Sequence, residues 1–149
     1  MTIPIILYTV FLFLAIFVAG GMVTLQLQHY NLYYLVGRDN FKAYIAGNNK
    51  SAAIPSIIPA MLLLIVSIVL VFERPTFMPM IWAMFALALN LVALASSFIW
   101  QRKLQDEMTR VGYNEDKALL LLRTNWIRTV AFLLQAAMAA GIVMGAVGK

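Results

Sequence analysis

Four long apolar runs alternate with three polar connections along the chain. The runs lie at residues 3–27, 52–72, 78–100 and 124–147. A helix of about 20 residues crosses the roughly 30 Å hydrocarbon core of a bilayer, so each run is long enough to span a membrane. Only residues 73–77 separate the second run from the third, which predicts that these two helices are antiparallel neighbours. The pattern predicts a single all-α domain over residues 1–149, a four-helix antiparallel transmembrane bundle.

The first long connection, residues 29–51, carries the signals of a short helix. Asp39 or Asn40 can cap its N-terminus, and Gly47 can end it. The apolar face between these signals consists of Phe41, Tyr44 and Ile45. One apolar face on an otherwise polar helix predicts that this helix lies on the membrane surface.

The second long connection, residues 101–123, predicts a helical hairpin that extends beyond the membrane. Gly112 suits the end of one helix, and Asn114 suits the N-cap of the next. Glu115 and Asp116 then place negative charge at the positive end of that helix dipole.

Basic residues are unevenly divided between the two sides of the predicted bundle. Eight of the eleven Lys and Arg residues lie in the two long connections, whereas Arg74 and Lys149 lie on the other side and Arg128 lies within a span. Cytoplasmic loops carry the excess of Lys and Arg in membrane proteins. We therefore expect a multi-pass protein of the bacterial inner membrane, with a cytoplasmic hairpin and both termini outside.

Composition narrows the classes of function. Hydrophobic residues make up 63% of the chain and charged residues 11%, against about 25% charged in soluble proteins. The positive charge is therefore attributed to topology and anionic lipid, and no nucleic-acid partner is expected. Residues 1–37 carry no charged side chain, so we expect a retained first helix and not a cleaved signal peptide. Cysteine is absent and histidine occurs once, which predicts no metal site and no cofactor.

Polar side chains within the spans are concentrated around the segment Thr124-Asn125-Trp126-Ile127-Arg128-Thr129. Unpartnered polar groups cost several kcal/mol in a membrane, so this segment predicts partners at the same depth on other helices. Side chains spaced by three, four or seven residues share one face of a helix. By that spacing the candidate partners are Gln26, His29, Tyr30, Tyr33, Ser97 and Gln101.

Two interpretations of this polar layer are open. In the first, Gln26, His29 and Ser97 hold Arg128 and Asn125 only to fix the order of the helices. The interfacial Tyr and Trp residues then form the usual aromatic belt. In the second, the same groups line a pocket in the cytoplasmic half of the bundle.

The second interpretation assigns roles to nine residues. The predicted catalytic residues are His29 as base or hydrogen-bond donor, with Arg128 and Asn125 stabilising negative charge. The predicted ligand-binding residues are Gln26, Tyr30, Tyr33, Ser97, Gln101 and Trp126. The ligand would be a small apolar or amphiphilic molecule, and the protein could act on it as a cofactor-free oxidoreductase.

Other classes of function compete with this one. A non-catalytic subunit or scaffold of a larger membrane complex would dock through the mixed charges of residues 102–117. A transporter or channel is less favoured because no acidic residue lies in a predicted span, although a homo-oligomer could build a shared pore. The partners considered are membrane lipid, a small apolar ligand, and a homo-oligomer or larger complex.

Several short segments resemble the anthrone-oxygenase-like family of small four-helix bacterial membrane proteins. They are the His29-Tyr30 pair after a glycine-containing first helix, Phe41 and Tyr44 in the following connection, and the segment 124–129. The resemblance implies the four-helix fold and the addition of oxygen to an aromatic anthrone without metal or flavin. The family pattern has further histidines where this sequence has Asn48, Gln101 and Gln105.

Overall fold

The computed structural model describes residues 2–148, which are almost entirely helical and contain no strand. We number five helices: α1 (Ile3–Val36), α2 (Arg38–Ser51), α3 (Ile54–Phe72), α4 (Met80–Val111) and α5 (Glu115–Val147). All except α2 are long and apolar enough to cross a membrane, so the predicted all-α class and four apolar helices are confirmed. The helices α1, α4 and α5 each continue well beyond the apolar run that predicts them.

The four long helices stand at the corners of a square in chain order. Helix α1 packs against α3 and α5, and α4 packs against the same two helices. In the described chain, no Cα atoms of the diagonal pairs, α1 with α4 and α3 with α5, lie within 8 Å of each other. The diagonal pairs therefore meet only through side chains in the middle of the bundle.

Small residues fill much of this interior, and large apolar residues face outward. The alanines Ala83, Ala86, Ala93, Ala131 and Ala139 are buried. Large exposed residues on the same two helices include Ile81, Leu91, Val92 and Leu134. This distribution is typical of helices surrounded by lipid, because small residues allow close helix packing and lipid accepts the large side chains.

Helix α2 packs against the second half of α4 and does not stand alone. Phe41 and Ile45 are fully buried there, as their predicted apolar face requires, while Tyr44 is partly exposed. The expected caps are wrong. The helix begins directly after Gly37, whose φ is +78°, without a side-chain cap, and it continues through Gly47 to Ser51.

The turn between α4 and α5 follows the sequence prediction. Helix α4 ends at Val111, Gly112 has φ +94°, and Asn114 Oδ1 accepts a hydrogen bond from the Lys117 backbone N–H at 3.0 Å. An ion pair of 2.8 Å between Lys117 and Glu107 joins the two helices beside the turn.

Candidate functional site

Three of the long helices contain a π-helical turn. These turns are Leu25–His29 in α1, Ala53–Ile57 at the beginning of α3 and Ser97–Gln101 in α4. In the α3 turn the Ile57 N–H donates to the carbonyl of Ala52, five residues earlier, at 3.3 Å. Turns of this kind are rare and occur frequently at functional sites. All three border one cavity, which makes that cavity the candidate site.

The cavity has a volume of about 870 Å³, which is large enough for a small organic ligand. Its wall changes character along the bundle axis. Toward the turn between α3 and α4 it is mainly apolar and includes Ala60, Met61, Leu64, Leu94, Phe98 and Phe132. Toward α2 it is polar and includes His29, Asn48, Asn49, Arg102, Gln105 and Asp106. An amphiphilic molecule matches such a gradient.

Arg128 contributes a positive charge to the wall between these two ends. Its Nη2 donates a long hydrogen bond of 3.5 Å to the sulfur of Met22, and its buried Nε has no hydrogen-bond partner. The guanidinium lies beside the hydroxyl of Tyr30, which is a neutral group and does not compensate the positive charge. No carboxylate lies within ion-pair distance of Arg128 among residues 2–148. A guanidinium in this position can hold an anionic group of a ligand.

His29 lies in the polar part of the wall inside a group of aromatic rings. Its ring centroid is 5.2 Å from that of Tyr33, 5.6 Å from Tyr30 and 6.2 Å from Tyr44. The Nε2 atom is 3.4 Å from the Tyr33 hydroxyl. These contacts fix the orientation of the imidazole, the only one in the chain, at the surface of the cavity.

Gln101 and Ser97 belong to the wall, but their polar atoms are engaged within the protein. The side-chain amide of Gln101 donates to the Leu121 carbonyl at 3.2 Å and to Thr124 Oγ1 at 2.9 Å. Its Oε1 accepts a 3.5 Å hydrogen bond from the Tyr30 hydroxyl. The Ser97 hydroxyl donates to the Ala93 carbonyl at 2.8 Å. We therefore assign Gln101 a role in orienting Tyr30.

Five of the nine residues predicted for the site line the cavity: His29, Tyr30, Ser97, Gln101 and Arg128. The other four do not. Gln26 and Asn125 are buried and hydrogen bonded to each other at 2.9 Å, and Tyr33 is buried among aromatic rings behind His29. Trp126 is 46% exposed on the outside of α5, because it lies roughly 200° around the helix from Arg128.

Asn125 therefore does not face the cavity, as its predicted catalytic role would require. Its amide donates to Gln26 and to Thr129 Oγ1 at 3.3 Å, which joins α5 to α1 away from the cavity. For this pair the structure matches the first interpretation, in which polar groups fix helix order. For Arg128 the first interpretation does not hold, because neither Gln26, His29 nor Ser97 donates to or accepts from the guanidinium.

Several lining residues were not predicted. Asn48 and Asn49 come from the end of α2, which the sequence placed on the membrane surface and not against the bundle. Asn49 Oδ1 is buried without a hydrogen-bond partner. Gln105 also lines the cavity and was not predicted for the site.

A second polar group lies in the middle of the bundle. The Ser67 hydroxyl accepts from Asn90 Nδ2 at 2.9 Å and from Gln135 Nε2 at 3.3 Å. Asn90 also reaches the floor of the cavity. Ser67 was missed because a single serine in an apolar run gives no distinct signal.

Among residues 2–148, no three His, Asp or Glu side chains are grouped so that they could hold a metal ion. Comparisons with family models, with curated proteins and with solved structures gave no match to this chain. The resemblance to the anthrone-oxygenase-like family therefore stays a prediction that rests on the residues quoted for it.

Proposed function

We propose that this chain is an integral membrane protein that binds a small apolar or amphiphilic ligand in the cavity at the three π-helical turns. In this proposal the four long helices alternate in direction across a bacterial inner membrane. Both termini are outside, and residues 102–117 form a hairpin in the cytoplasm. The cavity then lies in the cytoplasmic half of the bundle, with its polar end toward the headgroups.

The observation that carries this proposal is the unneutralised guanidinium of Arg128 at the wall of a mainly apolar cavity. A buried charge without a partner lowers the stability of a protein, so such a charge commonly has a function. The apolar wall can bury the apolar part of a ligand, and Arg128 can orient the ligand by binding its polar group. Binding sites commonly combine these two elements, an apolar lining and a few well-placed polar groups.

The test compares protein extracted in a mild detergent with two variants by native mass spectrometry. We expect the unaltered protein to retain a small molecule in stoichiometric amount, and Arg128→Ala to lose it. Arg123→Ala is the matched control, because Arg123 is an exposed basic residue one and a half turns earlier on the same helix. Circular dichroism should show that all three proteins are helical. Equal retention by Arg128→Ala would refute the proposal.

A cofactor-free oxidation of the ligand is a second candidate, favoured because His29 and Arg128 line the same cavity. His29 would remove a proton from the methylene of an anthrone, and Arg128 would stabilise the resulting anion. Dioxygen would then oxidise this carbon: one oxygen atom replaces its two hydrogens, and the other leaves as water. Oxygen consumption with anthrone should require His29 and stop in His29→Gln. Equal consumption by that variant would restrict the function to binding.

The alternative remains a non-catalytic membrane subunit whose hairpin docks on a larger partner. Crosslinking from residues 110–117 in native membranes distinguishes it, because docking gives one dominant product with a different protein. Helix α2 already covers one side of the second half of α4. For that reason we favour ligand binding.

A further inference from the structure

The four seams between neighbouring helices are not equally closed. Helices α1 and α5, and α4 and α5, approach each other along both the apolar and the π-helical segments. Helix α3 approaches Ile3–Thr24 of α1 through both Ala53–Ile57 and Ile58–Phe72. Helices α3 and α4 approach each other only through Met80–Ser96. In the described chain, no Cα atom of α3 lies within 8 Å of any in Ser97–Gln101 or Arg102–Val111. The cavity therefore opens sideways, between the beginning of α3 and the second half of α4.

Apolar side chains stand on both sides of this opening. Ile57 and Met61 on α3 are 55% and 43% exposed, and Phe98 on α4 is 60% exposed. All three also line the cavity, so they belong to its inner wall and to the outer surface at once. These residues lie in or next to the apolar runs, which places the opening against acyl chains and not against water.

Helix α2 closes the end of the cavity that would otherwise open along the bundle axis. It packs against Arg102–Val111 of α4 and continues along the chain, after Ala52, into the turn Ala53–Ile57. Helix α2 therefore connects the two helices that border the opening. Asn48 and Asn49 at the end of α2 line the cavity below this bridge. Helix α2 thus lies across the polar end of the cavity, whereas no element of the described chain lies across the opening between α3 and α4.

The charges of the cavity select among amphiphiles. The charged lining residues are Arg128, Arg102 and Asp106. Arg102 and Asp106 are exposed at the polar end, and Arg128 is the one next to the apolar wall. A neutral head group would leave the guanidinium unpaired, whereas a carboxylate or phosphate oxygen would accept hydrogen bonds from it.

We propose that the ligand is a membrane amphiphile with one anionic head group, which enters from the bilayer through the α3–α4 opening. The head group reaches Arg128, and the chain lies between Ile57, Met61 and Phe98. This inference rests on the proposed ligand-binding function and adds the class of ligand and its route. The proposed ligand is therefore an anion from the lipid phase, and not a small anion that arrives through water.

The first experiment tests the class of ligand with three probes on the purified protein. Oleate and oleyl alcohol share one chain and differ in head-group charge, and butyrate carries the charge without the long chain. We expect oleate to bind most tightly, and Arg128→Gln to weaken oleate roughly tenfold or more while leaving oleyl alcohol unchanged. Arg123→Gln is the control and should bind oleate normally. Equal binding of oleate and oleyl alcohol, or of oleate and butyrate, would overturn the proposed class.

The second experiment tests the route, using the absence of cysteine from the chain. Phe98→Cys is labelled with a bulky maleimide in lipid vesicles, and Leu91→Cys, an exposed position on α4 outside the cavity lining, is the control. We expect the label at position 98 to slow both uptake and release of oleate several-fold, and the label at position 91 to change neither. Met61→Cys provides a second position on the opposite side of the opening.

The outcomes separate the two proposals. Unchanged exchange rates with labels at 98 and 61, while oleate still binds, would overturn the lateral route and leave ligand binding intact. Failure of the unlabelled protein to bind any of the three probes would overturn the ligand class. Failure to retain any small molecule in the native mass spectrum as well would overturn the proposed function.

Discussion

The side-chain amide of Asn125 donates to Oε1 of Gln26 at 2.9 Å and joins the last helix to the first. Gln26 in turn donates to the backbone carbonyl of Leu122 at 3.1 Å, so the contact includes two side chains and the backbone of α5. Both residues are at most 2% exposed. This pair fixes the rotation of α5 about its axis and thereby directs Arg128 toward the cavity.

We predict that Gln26 and Asn125 are energetically coupled. Leucine at either position leaves the other amide without its partner, which should lower the free energy of unfolding by about 1–2 kcal/mol. The double variant should lose less free energy of unfolding than the sum of the two single losses. The coupling energy should be about 0.5–1.5 kcal/mol, as expected for hydrogen bonds between membrane helices. Thermal unfolding in detergent, followed by circular dichroism, measures all three variants. Strictly additive losses would contradict the coupling.

We predict that Ser67→Ala destabilises the bundle without abolishing ligand binding. The substitution removes the acceptor that Asn90 and Gln135 share, and Gln135 Oε1 is already buried without a partner. The expected loss is about 1 kcal/mol in the free energy of unfolding. Unfolding and oleate titration should be measured on the same sample. The outward-facing Ile68→Ala is a control that should change neither quantity strongly.

We predict different effects on ligand binding for two aromatic side chains that are both exposed. Phe98 lines the cavity and Trp126 does not, although both are in helices that surround it. Phe98→Ala should weaken binding of a long-chain ligand, whereas Trp126→Ala should leave it unchanged. Isothermal titration of the two variants in the same detergent compares them directly. Weaker binding in Trp126→Ala alone would show that the site has been placed on the wrong side of α5.

We predict that alanine has opposite effects at two glycines. Gly112 has φ +94° in the turn before α5, and its added Cβ would lie 3.4 Å from Lys42 Cε. Gly112→Ala should therefore destabilise the protein by about 1 kcal/mol or more. Gly145 is in a helix with nothing within 4 Å of an added Cβ, so Gly145→Ala should stabilise α5 by roughly 0.5–1 kcal/mol. Equal changes in melting temperature would contradict this reasoning.

Hydropathy predicts the four long helices well because crossing a membrane imposes a length and an apolar composition. The same signal cannot show how far a helix continues outside the apolar run. For α4 the glycine at position 112, and not hydropathy, predicted that the helix continues past Trp100 and ends at Val111. Gly47 was expected to end α2 but lies within it. Glycine in a helix costs only about 1 kcal/mol, less than the packing of a helix through residues such as Phe41 and Ile45 contributes.

The candidate site was harder to predict than the fold. Residue spacing places Asn125, Arg128 and Thr129 on neighbouring faces of α5, but it cannot determine which of these faces meets α1 and which meets the cavity. The π-helical turns add to this difficulty. They shift the register of side chains after Leu25 and Ser97 without requiring any residue type that would reveal them.

The cavity is closed at its apolar end. Beyond Asn90, the hydrogen-bonded group around Ser67 and a buried core that includes Phe11 and Leu70 fill the bundle. At the far end the Tyr8 hydroxyl donates to the Ala139 carbonyl at 2.7 Å and ties α1 to α5. A molecule held beside Arg128 thus has no continuous path to the opposite face. If the protein binds a membrane amphiphile as we propose, it would admit and release the molecule on one side while the membrane stays electrically insulated, and ligand exchange would not dissipate an ion gradient.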